Sequence, residues 1–122
     1  MSTLKKKDWN ELEFLSWKEF QQMGPAIIQL EISRISKLTN QFTPETDFYN
    51  SLVKARFELK KFVNCVKETK HGPLPDSSTD HLRNAIMSIS LGESNQDQKA
   101  NQTLNYILTR LNYVYNRIGF VY

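Results

Sequence analysis

Tyr106, Arg110, Tyr113 and Arg117 follow one another at spacings of four, three and four residues. On a helix, side chains at those spacings are neighbours, so each guanidinium can lie against a tyrosine ring. Tyrosine and arginine are among the residue types most enriched at binding hot spots. The same pair stacks bases and holds phosphates when a protein binds single-stranded nucleic acid. At about 100° per residue the stripe is predicted to fall roughly opposite the leucines of its own segment, as an outward contact face or a solvated one. Only two arginines contribute, and no glycine-rich or aromatic ladder accompanies them, which favours a protein partner over RNA. Asn101, Asn105, Asn112 and Asn116 line one flank of the same segment and are expected to be wet.

Covalent and metal chemistry find little support. Neither His71 nor His81 has a cysteine, histidine or carboxylate at the i+3 or i+4 position that helical metal sites use. Cys65 falls mid-helix, off the apolar stripe, with no histidine in reach along the helix, which disfavours a catalytic thiol. There is no glycine-rich phosphate loop, nucleophile elbow or paired-glutamate motif. The expectation is a chain that is not an enzyme and needs no cofactor or metal.

The segment Leu82-Arg83-Asn84-Ala85-Ile86-Met87-Ser88 resembles the Leu-Arg-Asn-Ala-Ile core of HEPN-domain ribonucleases, which are all-helical. That resemblance implies RNA as a ligand and Arg83 as a phosphate contact. The motif pairs its arginine with a histidine a few residues on; Ser88 stands at the nearest such position and no histidine follows. The cleavage chemistry the resemblance implies would therefore lack its second group. Extended to Ile89, the same segment is also similar to a stretch of the small four-helix-bundle proteins encoded within ribosomal RNA insertions.

Charge is nearly balanced. Sixteen basic residues against 13 acidic ones give a net charge of +3 and a pI near 9.0, which permits an acidic partner without requiring one. Lys5, Lys6 and Lys7 form a basic N-terminal arm, residues 1–7, expected to be flexible or to touch an anion such as nucleic acid. Lys60, Lys61, Lys67 and Lys70 run down the polar side of one helix. Arg56 and Glu31 each lie near an apolar edge and are candidates to pair. A single cysteine excludes an internal disulfide, and no apolar run approaches the roughly 18 residues that span a bilayer. These features predict a cytoplasmic protein without a membrane segment.

The elements that position these residues follow from punctuation. Glycine and proline are confined to Gly24-Pro25, Thr43-Pro44, Gly72-Pro73-Leu74-Pro75, Gly92 and Gly119. Glycine costs a helix interior about 1 kcal/mol and proline about 3 relative to alanine, so the pieces between are free to be helical. The expectation is an all-α, compact bundle of four to five amphipathic helices over about 8–23, 25–40, 44–70, 78–91 and 95–118, forming one domain over 1–122. Thr43-Pro44-Glu45, Ser77 with Asp80 and Ser94 with Asp97 are the predicted start signals. Inward rows are Ile28, Ile32, Ile35 and Leu38; Tyr49, Leu52, Ala55, Leu59, Phe62, Val63 and Val66; Leu82, Ala85, Ile86 and Ile89; and Leu104, Ile107, Leu108, Leu111, Tyr115 and Ile118. Leu30 points away from its row. The first segment carries Trp9, Phe14, Trp17 and Phe20 around most of its wheel, so it is gripped on two sides or docks on another chain.

A complete fold signal without site chemistry predicts a non-catalytic interaction module: an adaptor, inhibitor or small subunit. Its contacts are expected at Trp9, Trp17, Tyr106, Arg110, Tyr113 and Arg117, with a protein partner or a second copy of the chain. The alternative is an RNA- or single-strand-binding subunit, HEPN-like but degenerate, using Arg83, Arg110, Arg117 and the arm Lys5, Lys6 and Lys7.

Overall fold

The computed structural model describes residues 16–42, 46–70, 74–92 and 98–118, and these form four helices and no strand. They are α1 (Trp17–Thr39), α2 (Asp47–Glu68), α3 (Asp76–Gly92) and α4 (Gln98–Ile118). The expected all-helical bundle is what forms.

Gly24-Pro25 is not a seam. The expected helices 8–23 and 25–40 are one continuous α1 from Trp17, with Pro25 inside it. Proline forfeits the bond to the Gln21 carbonyl and crowds it, at a cost of about 3 kcal/mol. Phe20, Ile27 and Ile28 on either side are all buried, and each such side chain contributes about 1.5–3 kcal/mol on leaving water. Burial on both sides of the proline outweighs its local penalty. Residues 8–15 of the expected first helix, with Trp9 and Phe14, lie outside the described residues.

The helix starts also differ from expectation. Ser16 opens α1 with a capping box: its hydroxyl accepts from the Glu19 backbone N–H at 3.1 Å, and the Glu19 carboxylate accepts from the Ser16 N–H at 3.1 Å. Thr46 caps α2, accepting from the Tyr49 N–H at 3.2 Å; the expected Thr43-Pro44-Glu45 signal lies outside the described residues. Ser77 caps nothing, because it is already inside α3; the Pro75 carbonyl receives the Ser78 N–H at 3.0 Å and the helix begins at Asp76. Ser94 and Asp97 are outside the described residues.

α1 packs on α2 and α4, and α3 packs on the same two; neither diagonal pair meets among the described residues. Gln21 near the start of α1 donates to the Val66 and Thr69 carbonyls at the end of α2, at 3.1 and 3.0 Å. Arg56 of α2 donates to Ser36 further along α1. Numbers therefore fall along one helix as they rise along the other, and α1 and α2 are antiparallel. Short connections impose the same relation on successive helices, which gives an up-down-up-down bundle. Phe42 and Phe48 meet edge to face at 4.5 Å across the α1–α2 junction.

The core is built from the expected rows. Ile28, Ile35, Leu52, Leu59, Phe62, Leu82, Ile89, Leu104, Ile107 and Leu111 are fully buried. Ile32, Ile86, Leu108, Tyr115 and Ile118 are half-buried against it. Leu30 does point outward.

Candidate functional site

The seam between α1 and α4 collects most of the chemistry the described residues offer. Glu31 sits in the isoleucine row of α1 and is completely buried. Its carboxylate accepts a hydrogen bond from Arg34, one turn on, and lies 3.8 Å from Arg110 Nε of α4. Burial pushes the Glu31 carboxyl above its ordinary value, while the charges of Arg34 and Arg110 and the Arg34 hydrogen bond draw it down. The guanidinium of Arg34 also lies over the Tyr106 ring, 4.8 Å from its centroid. Glu31 facing Arg110 while Arg34 faces Tyr106 makes α1 and α4 antiparallel.

This arrangement corrects the outward stripe. Tyr106, Arg110, Tyr113 and Arg117 do not share one solvent face: Tyr106 is 49% exposed and Arg117 only 2%. Arg110 is half-buried at the seam, Tyr113 is half-buried against the core, and Arg117 stacks on Tyr113 at 4.4 Å. Val114, missing from the expected inward row, is fully buried and lies one turn from both Arg110 and Arg117. It turns the buried sector of α4 toward the stripe, so the stripe flanks the core instead of opposing it. The asparagine flank is wet at Asn105, Asn112 and Asn116, and Asn101 is half-buried.

What remains exposed on the seam is smaller and more definite. Leu30 is 53% exposed and precedes Arg34 by one turn on α1, while Tyr106 covers Arg34 from α4. Beyond Arg34 a cleft of ≈ 170 Å³ opens between Arg34 and Lys37 of α1 and Lys99 of α4, floored by Leu38 and Ala100. Sequence reasoning left out Arg34, Lys37 and Lys99. The available signal was α4 itself, which contains basic residues but no aspartate or glutamate.

The other expected residues lie elsewhere. Trp17 is half-buried and packs on Phe20 with ring centroids 5.9 Å apart, so it serves the core more than a partner. Arg83 is exposed on α3 and pairs with Asp80 at 2.7 Å. Trp9 and Lys5, Lys6 and Lys7 lie outside the described residues, as does His71. Glu31 does not meet Arg56, which bonds Ser36 Oγ at 3.3 Å instead. His81 has a carboxylate neighbour after all, across the bundle: Glu58 of α2, 3.2 Å from its Nδ1, with Asn84 donating to the other Glu58 oxygen at 3.4 Å. No group of three metal-ligating side chains gathers among the described residues, and no described helix is long and apolar enough to cross a membrane.

Compared with known proteins, the chain matches no family model, no curated protein and no solved structure.

Proposed function

We propose that this chain is a non-catalytic helical interaction module, an adaptor, inhibitor or small subunit that offers the α1–α4 seam to another protein. The observation that supports this is the grouping of exposed Leu30 and Tyr106 on either side of an arginine already oriented by Glu31. Both apolar groups stand on regular helices, so little conformational freedom is lost on docking. Tyrosine and arginine are among the residue types enriched at hot spots.

The test is quantitative capture from nuclease-treated extract with the wild-type chain and with Leu30→Ala/Tyr106→Ala. Docking at the seam requires that the protein recovered by the wild type be depleted about ten-fold or more by the double substitution, since truncated anchors cost 2 kcal/mol or more. Equal recovery removes the seam from consideration.

A second reading, a single-strand nucleic-acid-binding subunit, draws on one separate observation. Phe57 of α2 is 58% exposed with the Lys61 ammonium 4.2 Å from its ring centre, beside exposed Lys54 and Lys60. An aromatic face among lysines suits base stacking with phosphate contacts. Loss of all captured protein on nuclease treatment would favour that reading over the first.

A further inference from the structure

The outward face of α2 carries cations that the fold leaves uncommitted. Lys54, Lys60, Lys61 and Lys67 are all exposed, and none forms an ion pair with a described acid. Glu58, the acid within their span, is turned to His81 and Asn84 of α3. After the first turn, Glu68 past Lys67 is the one exposed acid on the helix. Across the α1–α2 groove, α1 has no acid between Glu19, engaged in its cap, and the buried Glu31. Lys61 lies over the Phe57 ring, a contact that orients the ammonium and leaves its charge intact.

The arrangement of these groups is also specific. Lys54 and Lys61 are seven residues apart, as are Lys60 and Lys67. At 1.5 Å per residue, each pair is a row with its lysines about 10 Å apart along the axis. At about 100° per residue, the two rows run on either side of Phe57 and Asn64. Phe57 is 58% exposed even with Lys61 on one face of its ring. Beside the Lys60 row, a groove of ≈ 360 Å³ between α1 and α2 is lined by Gln29, Ser33 and Asn64 over Ile32 and Val63.

We infer that α2 is crossed by a single strand of nucleic acid, its phosphates on the two lysine rows and a base stacked at Phe57. Neighbouring base edges then meet the amide and hydroxyl groups of Gln29, Ser33 and Asn64 in the groove. The inference rests on the nucleic-acid reading and adds the path of the strand and the groups that hold it. It leaves the docking seam free, because α2 does not meet α4 among the described residues. A single strand suits this face better than an acidic protein helix. Such a helix needs a row of apolar contacts, and Phe57 is the one large apolar side chain exposed on α2.

The probe is a fluorescein-labelled oligouridylate titrated into the full chain and followed by anisotropy. Its controls are labelled polyglutamate and the duplex of the same strand with oligoadenylate. Saturable binding is expected at about 0.05 M salt, with its logarithm falling linearly in the logarithm of salt. Lys60→Gln/Lys67→Gln should flatten that slope by about 1.4, since each phosphate on a single strand contributes about 0.7. Phe57→Leu, which keeps an apolar group without a stacking face, should weaken binding about ten-fold at unchanged slope. Lys18→Gln/Lys37→Gln, the same charge change at exposed sites on α1, should leave affinity within about two-fold. Circular dichroism verifies that all three variants keep their helices. Equal losses in the two lysine variants, or tighter binding of polyglutamate or the duplex, would overturn the inference. If the oligouridylate binds and the α2 variants match wild type, the nucleic-acid reading stands and this path falls. No binding at about 0.05 M salt removes both.

Discussion

Glu31 is the residue whose surroundings most constrain behaviour. A carboxylate out of water is unfavourable unless paired, and here the pairing comes from Arg34 on the same helix and Arg110 on α4. Burial nonetheless dominates and the carboxyl holds its proton to a higher pH than an ordinary glutamate. The folded chain therefore binds a proton that the unfolded chain has released, and stability falls as pH rises from the ordinary glutamate range through the raised folded value. Glu31→Gln has no such titration and its amide oxygen can still accept from Arg34. Its melting temperature relative to wild type should rise across that interval and level off above it. Parallel melting curves from acid to neutral pH would show that ionised Glu31 is fully compensated.

At the scale of the element, α1 shows how a local rule is overridden. Glycine and proline together ordinarily end a helix, yet Gly24 and Pro25 are both buried inside one. Gly24 has a packing reason: a Cβ there would come within 3.3 Å of Phe20 Cζ, and Phe20 is fully buried. Alanine for glycine in a helix normally gains about 1 kcal/mol. Gly24→Ala should instead lower the melting temperature, because the ring beneath it is held by the core and by Trp17. A higher melting temperature would mean that the ring yields freely.

At the level of the whole fold, the described residues form four helices in which each touches its two neighbours and none its diagonal. Leu59 is fully buried on α2, whereas Leu30, the same residue type, is 53% exposed. Leu59→Ala should cost about 2–5 kcal/mol through lost burial and a cavity. Leu30→Ala should change stability by no more than about 0.5 kcal/mol. Denaturant titrations of both variants check the contrast; a Leu30→Ala protein as unstable as Leu59→Ala would show that Leu30 is structural, and the seam would lose its apolar anchor.

Periodicity alone identified most of the bundle. Leu52, Leu59, Phe62, Leu82, Leu104 and Leu111 were legible as core because a helix that buries one stripe must repeat it about every 3.6 residues, and that repeat is written along the chain. The same repeat says only where a side chain lies around its own axis. How wide a sector neighbours cover, and which charge faces which, depends on helices far apart in sequence. That is why the burial of Arg117 beside Val114 and the meeting of Glu31 with Arg110 could be read only from the packed helices, and the joining of two expected helices through Pro25 only from the burial on both sides of it. The candidate site is a product of that packing: Arg34 enters it because Glu31 lies beneath it and Tyr106 beside it.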